Sequence, residues 1–177
     1  MKSRPIIFSA PMVRALLEGR KTQTRRICKE QPPDNGKKNQ IWWPDGKGWD
    51  MAMFNVFQSR WRVGDELWVR ERVRVNKHLG EYIYRDDVSD DVAAGFAWCP
   101  SIHMPREASR LTLVLTDVRV HRVQEIDKWD AFAEGIAKTE PNPVASYRSL
   151  WESINGDGSW AENSWVWALT FTVKAKN

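Results

Sequence analysis

A period-two alternation in the last third of the chain constrains its fold most strongly. From Trp165 to Val173 (WVWALTFTV) every second residue, Trp165, Trp167, Leu169, Phe171 and Val173, is apolar, which predicts a strand with one face on a core. Ser109 to Val123 repeats the pattern with Leu111, Leu113 and Leu115, then changes phase to Val118 and Val120 after Asp117. That is the mark of one long strand, or of two joined by a bulge. Between these stretches the period changes to that of a helix. Asp127 is suited to cap a helix through Ile136 with Trp129, Phe132, Ala133 and Ile136 as its buried face and Gly135 near the exit. Val144, Tyr147, Leu150, Trp151 and Ile154 predict a second helix over about 144–154, ended by Gly156.

The first half is less regular. Arg4 to Ser9 reads as a short strand, followed by a helix with Ser9 as cap, Pro11 in the first turn, and Met12, Val13, Leu16 and Leu17 as the apolar face. Gly19 allows a left-handed exit. Arg62 to Val75 (RVGDELWVRERVRV) reads as one strand after a Gly64-Asp65 turn. Leu67, Val69, Val73 and Val75 fall on one face, and Trp68, Arg70, Arg72 and Arg74 on the other. Glu71 interrupts the apolar face. A buried carboxylate needs a cation, here expected from Lys21, Arg25 or Arg26, and a structural ion pair is the expected role. The order of strand, helix, several strands, two helices and strand lacks the βαβ rhythm of a parallel sheet. It predicts an α+β fold, a small mixed β-barrel with helices packed on it.

Length and composition narrow the function classes. The 177 residues suit one domain, and the formal charge of +4 permits a nucleic-acid partner without requiring one. Eleven tryptophans exceed what such a core needs, so some are expected to line a groove. Cys28 and Cys99 are too few for a disulfide framework, the N-terminal stretch resembles no signal peptide, and no apolar run nears the ~20 residues of a membrane span. These features predict a soluble, cytoplasmic chain with no membrane partner. Residues 29–50, rich in Pro and Gly and holding Trp42, Trp43 and Trp49, read as a long loop or extended hairpin, its tryptophans a lid or a flap over the core. Glu81 to Arg85 reads as a strand, Asp86 to Asp91 as an acidic turn, and Trp98 to Arg106 as irregular. Cys99 and His103 lack a second ligand pair, so no metal is expected, and His78 and His121 read as ordinary.

Chemistry concentrates in Gly19 to Arg26, GRKTQTRR, which packs Arg20, Lys21, Arg25, Arg26 and two threonines behind a helix end. Two readings stay open from spacing alone: a solvated basic loop, or an anion or nucleotide site. Lys21 and Thr24 converge if the loop turns, and Arg25 and Arg26 diverge if it has become a strand.

GRKTQTRR after a helix, the GDELWVRE strand, the AEGI at a later helix end and the closing WVWALTFTV together resemble the ASCH domain family, with its PUA-like β-barrel, and its phage-type members in particular. The likeness spans about two thirds of the chain, residues 29–60 and 76–108 reading as insertions. It implies one domain over 1–177 and no cofactor. One branch of that family, the YqfB-like enzymes, hydrolyses the amide of N4-acetylcytidine with the lysine and second threonine of GRKTxTxR and a glutamate on the later helix. The resemblance therefore implies Thr24 as nucleophile, Lys21 as base and Glu134 as the orienting or proton-passing carboxylate. Arg20, Arg25, Arg26, Glu71 and Trp68 are the expected substrate contacts, Arg26 facing the oxyanion. The modest charge favours a free nucleoside or other small amide. Binding or cleavage of RNA is the rival expectation, since a basic loop near tryptophans suits phosphates and stacked bases.

Overall fold

The computed structural model describes residues 1–29, 31, 40–42, 48–50, 60–76 and 80–174. Strand β1 (Ser3–Ile7) runs through Ser9 into helix α1 (Ala10–Leu17). Ser9 is the N-cap residue through its carbonyl, which accepts from the main chain of Met12 and Val13, while its hydroxyl makes no capping bond. Gly19 takes φ +70°, and the N–H groups of Arg20 and Lys21 both donate to the Ala15 carbonyl, at 2.9 and 3.0 Å. The GRKT segment thus leaves the helix on a fixed path. It enters β2 (Gln23–Ile27) at once, so Arg25 and Arg26 diverge as strand neighbours do.

The remaining strands are β3 (Gln40–Trp42), β4 (Gly48–Asp50), β5 (Glu66–Arg70), β6 (Val73–Asn76), β7 (Glu81–Tyr84), β8 (Thr112–Arg122) and β9 (Trp165–Lys174). Helices α2 (Asp90–Ala94), α3 (Lys128–Ala133) and α4 (Pro143–Asn155) follow the order of the chain. Five strands form the main sheet in the order β1-β5-β8-β9-β2, with β1 parallel to β5 and the other pairs antiparallel. β3 with β4, and β6 with β7, form two small antiparallel ladders. This is the expected α+β class with a mixed sheet. The ends of the main sheet approach each other, because the Arg26 guanidinium on β2 donates to the Ile7 carbonyl at the end of β1 across 2.7 Å. The two edge strands of the sheet are bridged there by a side chain and not by a backbone ladder.

Alternation along β8 and β9 buries Leu113, Leu115, Leu169 and Phe171 against Leu67, Val69, Val13 and Leu16. The expected change of phase is a register shift between Leu115 and Asp117. A second core, of Val123, Ile126, Ala131, Tyr147, Trp151 and Val166, seats α3 and α4.

Three expectations fail in informative ways. Residues 62–75 are not one strand: β5 ends at Arg70, and β6 leaves the sheet at Val73 to pair with β7. The break falls on Glu71 and Arg72, where a carboxylate cannot continue an apolar face, and Val75 beyond it is exposed. On α3, Asp127 caps as predicted by accepting from Asp130 N at 2.8 Å, but Trp129 is 66% exposed. Ala131 and Glu134 face inward instead, because the helix is oriented by the carboxylate it delivers to Lys21. On α1, Leu17 is exposed and Ala15 is buried in its place. Trp43 and His78 lie outside the described residues, as does the choice between lid and flap.

Candidate active site

Three charged side chains, Lys21, Arg25 and Glu134, are buried together, with Asp130 half-buried at their edge. Lys21 has no exposed surface, and Glu134, at the C-terminal end of α3, is 3% exposed. The Lys21 ammonium donates to Glu134 Oε2 at 2.8 Å and to the Glu134 main-chain carbonyl at 2.7 Å. Glu134 Oε1 accepts from Arg25 at 3.0 Å, and Arg25 also reaches Gln23 Oε1 at 2.6 Å and Asp130 Oδ2 at 2.5 Å. Two cations and two carboxylates thus alternate, which balances the formal charge of the group.

The backbone makes this approach possible. Thr22 N donates to Ala133 O at 2.8 Å, so the residue that leads into β2 is bonded directly to the end of α3. Gly135 follows with φ +102°, and a Cβ there would lie 3.2 Å from Ala15 Cβ and 3.4 Å from Lys21 Cβ. Glycine both supplies the left-handed turn and leaves the room that Lys21 occupies.

Burial pushes the Lys21 amine below the ordinary lysine value; Glu134 opposes this and Arg26 and Arg25 add to it. The carboxylate beside Lys21 therefore does not cancel the effect of desolvation. Burial also lowers Arg26, with Glu134 and Tyr147 opposing, and raises the Tyr147 hydroxyl well above its usual value.

Thr24, Arg25, Arg26 and Glu134 all line a cleft of about 850 Å³. The Thr24 side chain has no hydrogen-bond partner among the described residues, Lys21 included. Phe8, Tyr147, Leu150 and Trp151 supply an apolar lining, and Glu71, Arg72, Arg85, Asp86 and Asp90 also line the cleft.

The sequence-predicted residues separate into two groups around this cleft. Lys21, Thr24, Glu134, Arg25 and Arg26 come together. Glu71 lines the same cleft, but its partner is Arg110, not Lys21, Arg25 or Arg26. Arg110 donates to both Glu71 oxygens at 2.9 and 2.7 Å, holds Asp87 with its remaining edge, and stacks on Tyr84 at 4.0 Å. Burial pushes the Glu71 carboxyl above the usual carboxylate range, Arg110 pulling it back and Asp86 and Asp87 raising it further. Arg20 lies at the surface, bound to Glu18 and to the Gly135 carbonyl. Trp68 is buried in β5 beneath Arg70. Neither Arg20 nor Trp68 is part of the cleft wall.

Sequence reading missed Asp130, Gln23, Tyr147 and Arg110. Asp130 is a helix residue without an unusual neighbour, and Arg110 lies outside every motif; only Gln23, inside GRKTQTRR, carried a local signal. Among the described residues no three His, Cys, Asp or Glu side chains converge in a manner suited to a metal, and no helix is long and apolar enough to cross a membrane.

No family model matches the chain, and no curated protein matches it. Among solved structures, the crystal structure of an ASCH domain from Lactobacillus crispatus JV V101 is similar with a TM-score of 0.47 at 9% sequence identity, over 97% of this chain and 79% of that one. The likeness is one of chain path, and no residue role is taken from it.

Proposed function

We propose that the chain is an amidohydrolase that removes an acyl group from the N4 amine of an acylated cytidine or a related modified nucleoside, as an ASCH protein of the phage and YqfB-like type would. The observation that carries this reading is the buried Lys21–Glu134–Arg25 group beside an unbonded Thr24 hydroxyl on the cleft wall. An amide carbonyl needs a nucleophile, a base and donors for the oxyanion; Thr24 and Arg26 on the cleft wall and Lys21 buried behind Glu134 are the candidates.

In the first half-reaction Thr24 Oγ1 attacks the acyl carbon while its proton passes to the neutral Lys21 amine. Lys21 makes no bond to Thr24 in the free protein, so substrate closure or one water completes this transfer. Charge developing on the carbonyl oxygen is met by Arg26, which lines the cleft. Collapse breaks the C–N bond, and the proton on Lys21, held by Glu134, goes to the departing N4 amine. Water then attacks the Thr24 ester, Lys21 again takes the proton, and the acid is released with Thr24 restored. Phe8, Tyr147 and Trp151 offer apolar and aromatic surface for the base and acyl group.

The test is incubation with N4-acetylcytidine, following cytidine release, beside a short single-stranded RNA followed for fragments. Thr24→Ala and Lys21→Ala are each expected to lower turnover by several orders of magnitude while the protein stays folded. Near-full turnover in Thr24→Ala would make water the nucleophile, and RNA fragments without cytidine would replace this reading with a nuclease.

A further inference from the structure

A second groove, of about 550 Å³, opens at the seam between β1 and β2 and shares Ile7, Arg26 and Ile27 with the cleft. Its lining includes Arg26, Lys29, Arg60 and Arg70 and no carboxylate. None of these four cations is ion-paired among the described residues. Among the described residues the groove therefore gathers four cations and no carboxylate, although Arg26 also feels Glu134 across the shared wall.

The three arginines share one mode of support. The Arg26 guanidinium lies over Phe8 at 5.2 Å, that of Arg60 over Trp61 at 4.4 Å, and that of Arg70 over Trp68 at 4.5 Å. Arg26 and Arg70 also bond a carbonyl oxygen each, of Ile7 and Ile102. Rings and neutral carbonyls fix the position of a guanidinium while leaving its charge unneutralised. Arg110 also stacks on an aromatic ring, yet two carboxylates neutralise it; Arg74 over Phe96 lacks an ion pair among the described residues but stands alone, whereas the groove gathers four cations. Like charges gathered in a concavity repel one another unless an anion enters, and a planar fork of donors matches phosphate oxygens.

From this we infer that the seam groove is a phosphate subsite, and that the nucleoside proposed for the cleft enters carrying phosphate on its sugar. The inference rests on the nucleoside reading for its ligand and on the groove alone for its charge. It changes the expectation drawn from composition, because a modest net charge says nothing of how that charge is distributed. The shared wall at Ile7, Arg26 and Ile27 lets one ligand span both spaces, base toward Thr24 and phosphate toward Arg60 and Arg70.

The experiment is a titration of the full chain with cytidine, cytidine 5′-monophosphate and a short single-stranded oligocytidylate, none of which contains an amide to hydrolyse. The monophosphate is expected to bind at least about tenfold more tightly than cytidine at low salt, the gain of one to two charge-assisted bonds. Arg60→Gln combined with Lys29→Gln, both at exposed positions, is expected to remove most of that ratio. Tighter oligocytidylate binding, with log affinity falling by about 0.7 per phosphate against log salt, would assign the groove to a polynucleotide, and equal binding of the two to a mononucleotide. Equal binding of cytidine and its monophosphate, or a ratio unchanged by the double variant, overturns the inference. Deacylation without phosphate preference strikes this subsite only, and phosphate preference without deacylation strikes the hydrolytic reading only.

Discussion

Two buried carboxylates line the cleft, and their partners make them different groups. Glu134 is shared between Lys21 and Arg25, and Glu71 is held through both oxygens by Arg110. An arginine keeps its proton at every accessible pH, so the Glu71–Arg110 pair can fix a geometry but has no proton to exchange. A lysine shifts its pKa on burial, and Lys21 has done so downward. Only the Glu134 wall combines a carboxylate, a releasable proton and a free hydroxyl. Burial of charge alone does not identify a reactive site; the identity of the counter-ion does.

Neutralising each carboxylate in turn separates their roles. Glu134→Gln is expected to lower kcat/KM for N4-acetylcytidine by about 10²- to 10⁴-fold, the usual range for an acid–base group, while Glu71→Gln stays within about tenfold. The opposite ranking would move Glu71 into the reacting set and leave Glu134 as scaffold.

Stability tests the structural role of Glu71 by itself. Glu71→Gln leaves Arg110 with one carboxylate, Asp87, and is expected to cost about 3 kcal/mol, the low end for breaking a buried pair because Asp87 remains. Chemical denaturation of the variant reads this directly. An unchanged midpoint with lost activity would contradict the structural role.

The smallest and most specific effect is on pH dependence. If neutral Lys21 is the base, kcat/KM rises with pH and levels off below 10.5, the ordinary lysine value. Glu134 raises the Lys21 pKa, so residual activity in Glu134→Gln should reach its plateau at lower pH, while Glu71→Gln leaves the profile in place. The same shift has a signature in stability. The unfolded chain binds the Lys21 proton more tightly than the folded one, so the contribution of Lys21 to stability rises with pH between its folded value and 10.5. A flat rate profile through that window would remove Lys21 as base.

Much of the framework was legible in the order of residues. Period-two stretches became β8 and β9 with their bulge, Asp127 and Gly135 bounded the helix end that carries Glu134, and GRKTQTRR left a helix end at Gly19, although its residues alone left loop and strand open and only the fold decided for β2. These are local properties, set by backbone geometry and by which face of a repeat is apolar, and they need no knowledge of distant neighbours. Ion-pair partners do need it. Lys21 meets Glu134 across 113 positions and Glu71 meets Arg110 across 39, and nothing in either segment distinguishes one arginine from another as the eventual counter-ion. Sequence placed Glu71 on an apolar face and demanded a cation for it; only the packing of the irregular stretch before β8 against the end of β5 decided which. Trp129 points outward for the same reason, since a six-residue helix is oriented by what its end must reach as well as by its own apolar stripe. The seam groove is the extreme case. Lys29, Arg60 and Arg70 lie far apart in the chain, and they become one uncompensated patch only where the sheet curls until β1 and β2 stand a single side chain apart.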